Sequence, residues 1–468
     1  MTETFTNQHI AVIGLAATGL AAARVLRDRG ARVRVYDTKL EAELSAENVA
    51  GARALGDGVE LALGTAEIDW AATDLVVPSP GVPRGVSVLR EAQRRGVPVL
   101  GEIEMAYRLA RAPILAITGT NGKTTTTALV GAICRAAGRQ TWIAGNIAED
   151  EGKRLPLIQA AAEAPEDGVI VAEISSFQLE WVERFRPRVG AWLNISNDHR
   201  DRYADFDEYA GCKARLFAAQ EAGDTAVVNA DDAEVLRSVD GVGSGARLLF
   251  SLEKPLKIGA WRDEDMLRAR MPQGAETALL SVDDLPIPGR HNIANALAAA
   301  AMTLAFGIGV EAVREGIRGF AGVAHRMELV REIKGVRYVN NSMCTNPAAV
   351  AASLEAAGAP VIAILGGKHK GGDLSGLAHA VRERARHAVL IGVSAPVIAD
   401  ALRSVGMMEV ELAETLPEAV QRAARAARPG DTVMLIPGCA SFDMFTGFEH
   451  RGQVFRDAVR ELSDGRRS

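Results

Sequence analysis

The chain has 468 residues, 48% of them hydrophobic and 24% charged, the balance of a soluble globular protein with ample core and a length that suggests about three domains. A formal net charge of −6 argues against non-specific nucleic-acid binding. Cys134, Cys212, Cys344 and Cys439 are scattered, with no pair at metal-ligand spacing, which suits a reducing compartment. The first apolar segment, Ile10 to Leu26, is broken by Gly14 and Gly19 and follows no basic stretch, so it reads as strand plus helix rather than a leader. No apolar run is long enough to span a bilayer. The expectation is a cytoplasmic protein with no membrane and no nucleic-acid partner.

Ile10 to Ile13 is a short apolar strand, and Gly14-Leu-Ala-Ala-Thr-Gly19 turns it into an alanine-rich helix. A second strand, Arg32 to Tyr36, ends at Asp37. This order opens a dinucleotide-type fold, with an acid placed to meet a ribose or base. Ala16 stands where a middle glycine would let a pyrophosphate approach, so an ordinary βαβ turn and a nucleotide site both stay open. Further on, Leu75 to Val77 runs into Pro78-Ser-Pro-Gly81, a rigid loop at a strand's carboxyl end. Ligands of open α/β sheets gather at such ends, although a plain turn reads the same way. Arg111-Ala-Pro113 has the composition of a hinge.

The most informative stretch follows. Ile114 to Ile117 is a buried strand, Gly119-Thr-Asn-Gly122 a glycine loop, and Lys123-Thr124 opens a helix with Leu129, Val130 and Ile133 at helical spacing. Glycines let backbone N–H groups converge on an anion, and the helix N-terminus adds positive potential. Lys123 would reach outer phosphates and Thr124 would ligate magnesium. Ile117 occupies the place of the first glycine in the strict signature, so the loop is a shorter version. Val169 to Ala172 is a strand that delivers Glu173 to its carboxyl end, well placed for metal, and Ile174 to Trp181 reads as the start of a helix. After the strand Val189 to Leu193 comes a charged loop containing Asp198, His199, Arg200, Asp201 and Arg202. Phe206 to Gln220 reads as a helix, on which spacing alone makes Lys213 a surface lysine. Beyond Asp231 come short strand candidates up to Leu285. Asn292 and Asn295 share one face of the following helix and could grip an adenine edge or cap the helix.

From Val323 helices and strands alternate again. The strands Val336 to Val339, Val361 to Leu365 and Val433 to Ile436 each run into a polar loop, and Ala388 to Ile391 is another strand. Three such loops leaving carboxyl ends together are how a doubly wound sheet builds a ligand site, and Lys368 and Lys370 would attract an anion. The fold class is therefore α/β in three domains: an N-terminal Rossmann-like nucleotide-binding domain (1–112), a central P-loop ATPase-type domain (113–322) and a C-terminal Rossmann-like domain (323–468).

The motifs Thr118-Gly-Thr-Asn-Gly-Lys-Thr124, Glu173-Ile-Ser-Ser-Phe-Gln-Leu-Glu180, Asp198-His-Arg-Asp-Arg-Tyr203, Gly289-Arg-His-Asn-Ile-Ala-Asn-Ala296, Ala324-His-Arg326 and Cys439-Ala-Ser-Phe…Phe448-Glu-His-Arg-Gly452 occur in that order. Along essentially its whole length the chain resembles the Mur ligases, most closely the branch that adds D-glutamate. The resemblance implies that ATP phosphorylates a substrate carboxylate and that an amine then captures the acyl phosphate. Its substrates would be UDP-N-acetylmuramoyl-L-alanine and D-glutamate, its cofactors ATP and two Mg²⁺ ions, its state a monomer. By the same resemblance Lys123, Glu173, His199 and Lys213 would be catalytic. Gly119, Thr120, Asn121, Gly122, Lys123, Thr124, Thr125, Asn292, Asn295, Arg326 and Asn341 would bind ATP. Gly14, Ala17, Thr18, Gly19, Asp37, Thr38, Lys39, Ser79, Pro80, Gly81, Asn146, Ser175 and His199 would hold the uridine nucleotide. Thr345, Lys370, Ser441, Phe442 and Phe448 would place the amino acid. The metals would fall to Thr124, Glu173, His199 and a carbamylated Lys213.

One segment departs from the pattern: Asn340-Asn-Ser-Met-Cys-Thr-Asn346 stands where the family usually has Asn-Asp-Ser-Lys-Ala-Thr-Asn. Asn341 replaces an acid, and Met343 replaces a lysine that serves the phosphates and cannot supply a cation itself. Lys368 is the expected substitute, with Arg326 as another choice. A sibling ligase using a different amino acid or acceptor is the rival function; a nucleotide-binding protein without catalysis is a third.

Overall fold

Apolar runs that end in glycine, proline or an acid form the parallel strands of three sheets. The structure is a computed structural model describing residues 4–147, 154–196, 202–287, 289–358, 360–369, 371 and 373–462. The first sheet holds β1 (His9–Ile13), β2 (Arg32–Asp37), β3 (Val59–Leu63) and β4 (Leu75–Pro78), all parallel, in the order β3-β2-β1-β4. The chain crosses over β1 to place β4, so a crevice opens above the carboxyl ends of β1 and β4. The turns after these strands, at Gly14 and Ser79, face it.

The second sheet comprises β5 (Ile114–Thr118), β6 (Thr141–Gly145), β7 (Val169–Glu173), β8 (Val189–Trp192), β9 (Thr225–Asn229), β10 (Ala246–Ser251), β11 (Gly259–Asp263), β12 (Met266–Arg270) and β13 (Thr277–Ser281). Its order is β13-β12-β11-β10-β9-β8-β5-β7-β6, parallel except for the antiparallel run from β11 to β13. β5 lies between β8 and β7, and the register sets Glu173 beside both Ile117 and Gly145. The residues that follow those strands therefore meet at one point.

Contacts divide the described residues into two compact units, the first running to Phe320 apart from 287–290 and the second starting at Ala321. The first unit contains both sheets because they share a core: Val12, Leu26 and Val33 belong to the same apolar cluster as Ile103, Leu109, Ile158 and Leu179. The helix Glu102–Leu109 joins the two sheets, with Ile103, Met105, Ala106 and Leu109 buried. Two buried carboxylates fix it. Glu104 Oε2 accepts the N–H groups of Glu183, Arg184 and Phe185, each at 2.9 Å, and Arg108 pairs with its other oxygen at 2.8 Å. Glu102 Oε1 accepts the N–H of Ile158 at 2.7 Å.

The second unit carries β14 (Glu328–Ile333), β15 (Val336–Asn340), β16 (Val361–Gly366), β17 (Ala385–Ile391), β18 (Val410–Leu412) and β19 (Thr432–Leu435) in the order β14-β15-β19-β16-β17-β18. Only the β14–β15 pair is antiparallel. β15, β19 and β16 are neighbours, so their carboxyl-end loops converge, and Lys368 bridges Ala440 across two of them.

One sequence expectation needs correcting here. The helix from Ile174 to Trp181 is only a 3₁₀ turn over Gln178–Trp181. Glu104 takes the N–H groups of Glu183, Arg184 and Phe185, which a continuing helix would have needed for itself.

Burial raises the Glu102 pKa from 4.5 to about 7. Between those values the folded state keeps a proton that the unfolded chain has lost, so the stability linked to this group is complete below 4.5 and drains away as pH rises through 7. Glu102→Gln removes that penalty. Urea unfolding at pH 8 should show the variant about 3 kcal/mol more stable than the parent chain, with the gap nearly closed at pH 4. A gap of equal size at both pH values would refute the assignment.

Candidate active site

In the phosphate loop Gly122 has φ +83 and Gly119 has φ +154, conformations that residues with a Cβ avoid. The loop is strapped to the end of β8: Asn194 Oδ1 accepts from the Asn121 N–H at 2.9 Å, and Asn194 Nδ2 donates to the Asn121 carbonyl at 3.0 Å. Lys123 Nζ donates to the carbonyls of Gly119 and Thr120, both at 2.9 Å. Thr124 Oγ1 donates to Glu173 Oε2 at 2.7 Å, and Asn146 Nδ2 donates to Glu173 Oε1 at 3.2 Å. Glu173 is buried, so hydroxyl, carboxylate and amide form a closed polar cluster at the head of the helix Lys123–Ala136.

Lys213 is no surface lysine. It is 2% exposed, its Nζ donates to the Gly119 carbonyl at 3.0 Å, and it lies 4.8 Å from the centre of the Tyr209 ring. Tyr209 and Lys213 are four residues apart on the helix Phe206–Ala218 and so share a face. That face turns to the phosphate loop, where Tyr209 Oη and Thr120 Oγ1 are 3.2 Å apart. In the sequence, the four-residue spacing between Tyr209 and Lys213 is the signal that pairs them on this face. Asn292 and Asn295 are buried on the helix Arg290–Ala305, with Asn295 Nδ2 donating to Asn292 Oδ1 at 3.2 Å. A Cβ on Gly122 would lie 2.4 Å from Asn295 Oδ1, so this amide abuts the loop.

A cleft of about 1240 Å³ runs from the first sheet to the phosphate loop. Gly14, Ala17, Thr18, Asp37, Thr38, Lys39, Ser79, Pro80, Gly81, Asn146 and Ser175 line it together with Lys123 and Lys213. Gly19 lies behind the wall, where a Cβ would come within 2.0 Å of the Gly14 carbonyl. Asp37 holds the rim by accepting the N–H groups of Leu15 at 2.9 Å and Lys39 at 3.0 Å. Lys39, Arg90, Lys123, Arg154 and Lys213 outweigh Asp37 and Glu43 along the walls, a field that favours an anionic ligand. His199 lies outside the described residues, and among those described no group of three or more His, Cys, Asp or Glu could hold a metal ion.

The second unit contains the remaining expected residues. Asn341 turns inward: its Nδ2 donates to Ser353 Oγ at 2.8 Å and its Oδ1 accepts from the Met327 N–H at 3.3 Å. Arg326 Nη1 lies 4.0 Å from Met343 Sδ, whereas Lys368 is exposed on the loop after β16. Thr345 and Phe448 are half-buried, Ser441 is buried and Phe442 is 73% exposed. Lys370 is outside the described residues. Arg451 is fully buried and ties the loops after β15 and β19 together, through Ser342 Oγ at 3.0 Å, the Ser342 carbonyl at 2.8 Å and the Cys439 carbonyl at 3.1 Å. Burial pulls its pKa down to about 10. Burial, aided by Arg456, also holds His325 below its ordinary pKa. This fits a neutral ring whose Nδ1 accepts from Asn340 Nδ2 at 2.9 Å.

Known proteins resemble the chain throughout. Residues 8–101 match the MurD-like N-terminal domain of Mur ligases, 117–303 the Mur ligase middle domain and 325–439 the Mur ligase glutamate ligase domain. The chain belongs to the Mur ligase family. The UDP-N-acetylmuramoylalanine–D-glutamate ligase of Pelotomaculum thermopropionicum is 45% identical over 470 residues, covering 99% of this chain and 100% of that one. Its counterpart in Alkaliphilus metalliredigens is 40% identical, over 97% and 98%. Among solved structures, UDP-N-acetylmuramate-alanine ligase MurC of Thermotoga maritima has a TM-score of 0.60 at 21% identity, covering 97% of this chain and 99% of that one. This last likeness concerns the Mur ligase fold alone. Like others of the family, the chain is an ATP-dependent ligase. Among the described residues no helix is long and apolar enough to cross a membrane.

Gly122→Ala places a Cβ against Asn295 and forces a left-handed residue, at a strain of about 1–2 kcal/mol. Nucleotide affinity measured by titration calorimetry should fall about tenfold or more. Unchanged affinity would show that the loop does not need its present shape.

Proposed function

We propose that this Mur ligase joins D-glutamate to UDP-N-acetylmuramoyl-L-alanine, in the cytoplasm and as a monomer, by way of an acyl phosphate. The supporting observation is the single cleft in which the turns after β1 and β4 share walls with Lys123 and Lys213. A uridine nucleotide held by Gly14, Asp37, Lys39 and Ser79 would extend its far carboxylate toward the phosphate loop. The N–H groups of Gly119 and Gly122 and the side chain of Lys123 would cradle the ATP phosphates, while Asn292 and Asn295 border the same loop. The carboxylate would attack the terminal phosphoryl group as its bond to the bridging oxygen breaks and ADP leaves, and cations around it would stabilise the charge that spreads over the transferring oxygens. The amine of D-glutamate, its carboxylates held by Thr345, Lys370, Ser441, Phe442 and Phe448, would then displace phosphate.

The buried hydroxyl of Thr124 and carboxylate of Glu173 are hard oxygen donors, which suit Mg²⁺. When bound there the ion would neutralise phosphate charge. A second ion would fall to His199 and Lys213, the latter after carbamylation makes it an oxygen donor. The names of the relatives at 40–45% identity favour D-glutamate over another amino acid.

The direct test is phosphate release by the purified chain. Release should require ATP, Mg²⁺, UDP-N-acetylmuramoyl-L-alanine and D-glutamate together and should fail with L-glutamate, and Lys123→Ala should cut kcat on the order of a hundredfold or more. Equal turnover with L-glutamate, or none with any acceptor, would reject the reading.

We infer that Arg326, whose Nη1 lies 4.0 Å from Met343 Sδ, makes up for the missing lysine in place of Lys368. At saturating substrates Arg326→Ala should lose about a hundredfold in kcat and Lys368→Ala far less. The reverse ranking would return the role to Lys368.

A further inference from the structure

We propose that Arg202 is a positioning residue that sets the width of the substrate cleft; the inference rests on the acceptor reading given above. Its side chain is 10% exposed, and its Nε and Nη2 meet the two oxygens of Glu180, whose side chain is 0% exposed, at 2.8 and 2.6 Å. Nη2 also donates to the Val82 carbonyl at 3.0 Å. The guanidinium carbon stands 4.3 Å from the centre of the Phe177 ring. Val82 and Phe177 both line the cleft, Val82 from the loop after β4 and Phe177 from the loop after β7. One planar cation therefore fastens a wall supplied by the first sheet to a wall supplied by the second.

The Val82 contact matters because of what precedes it. The Val82 N–H donates to the Ser79 carbonyl at 2.9 Å and closes a turn, and Ser79 Oγ donates to the Gly14 carbonyl at 2.9 Å. The turn that would meet the uridine nucleotide is thus fixed at its inner end by β1 and at its outer end by Arg202. A lysine could not do the same: a guanidinium can bind a carboxylate in two-pronged fashion, bond a carbonyl and stack on a ring at once, whereas an ammonium is a point charge. An ion pair from the loop after β4 to the helix Phe206–Ala218, Arg84 with Glu208, spans 3.5 Å with side chains 38% and 39% exposed, so water screens it.

If the buried pair served stability alone, apolar residues of similar size would replace it without loss. That separates the two roles. The double variant Arg202→Met, Glu180→Leu leaves no orphaned charge and should melt within a few degrees of the parent chain. Steady-state phosphate release should show its KM for UDP-N-acetylmuramoyl-L-alanine raised at least tenfold, with the KM for ATP within twofold. Arg202→Lys should fall between the two, and Arg84→Ala should stay within twofold of the parent for both substrates. A crystal structure of the double variant should show Val82 and Phe177 further apart. An unchanged acceptor KM, a parallel loss for ATP and acceptor with a lowered Tm, or an unchanged Val82–Phe177 separation would each overturn the proposal. Should the parent chain release no phosphate with this acceptor, the acceptor reading fails, and the crystal comparison alone still decides whether Arg202 sets the spacing.

Discussion

The cleft exists because a short helix whose buried face carries two acids joins the two sheets. Glu104 substitutes for backbone partners at residues 183–185, and Glu102 does so at the head of the helix Leu157–Glu163. The N–H groups of Phe185 and Ile158 among these are buried and would otherwise lack acceptors, a loss of about 1–3 kcal/mol apiece. The shared apolar cluster supplies most of the adhesion, but it is not directional. The acids supply the direction, so the turns after β1 and β4 face the phosphate loop.

Within the second sheet strand order does the comparable work. Because β5 lies between β8 and β7, three successive carboxyl ends deliver the glycine loop, Glu173 and Asn194 to one spot. No side chain has to reach far. The helix Phe206–Ala218 then covers the loop with Tyr209 and Lys213, and the cleft closes on that side.

The strand–glycine–helix grammar was legible in the sequence because it depends on local rules: apolar strands, glycines at positive φ and a hydroxyl after a lysine. Glu173 was legible for the same reason, as an acid ending an apolar run. What stayed hidden depended on which face of an element meets which neighbour. Lys213 read as solvated because helical spacing says nothing about the phosphate loop lying against that face. Glu102 and Glu104 look like ordinary acids in the first turn of a helix, yet both are buried. Asn341 looked available to a ligand, but Ser353, twelve places further on, claims its amide. The edge strands β3 and β14 escaped because half-exposed residues weaken their apolar pattern.

Arg451 carries an implication for how the chain comes into being. It lies on the helix Phe448–Glu461, yet it organises loops that begin about a hundred residues earlier, at Ser342. During translation the first unit can complete its phosphate loop from residues already outside the ribosome. The loops of the second unit must wait, untied, until this guanidinium emerges. Nascent chains would therefore acquire a nucleotide-competent front before a usable back, and that sequence of events is written into the position of one arginine.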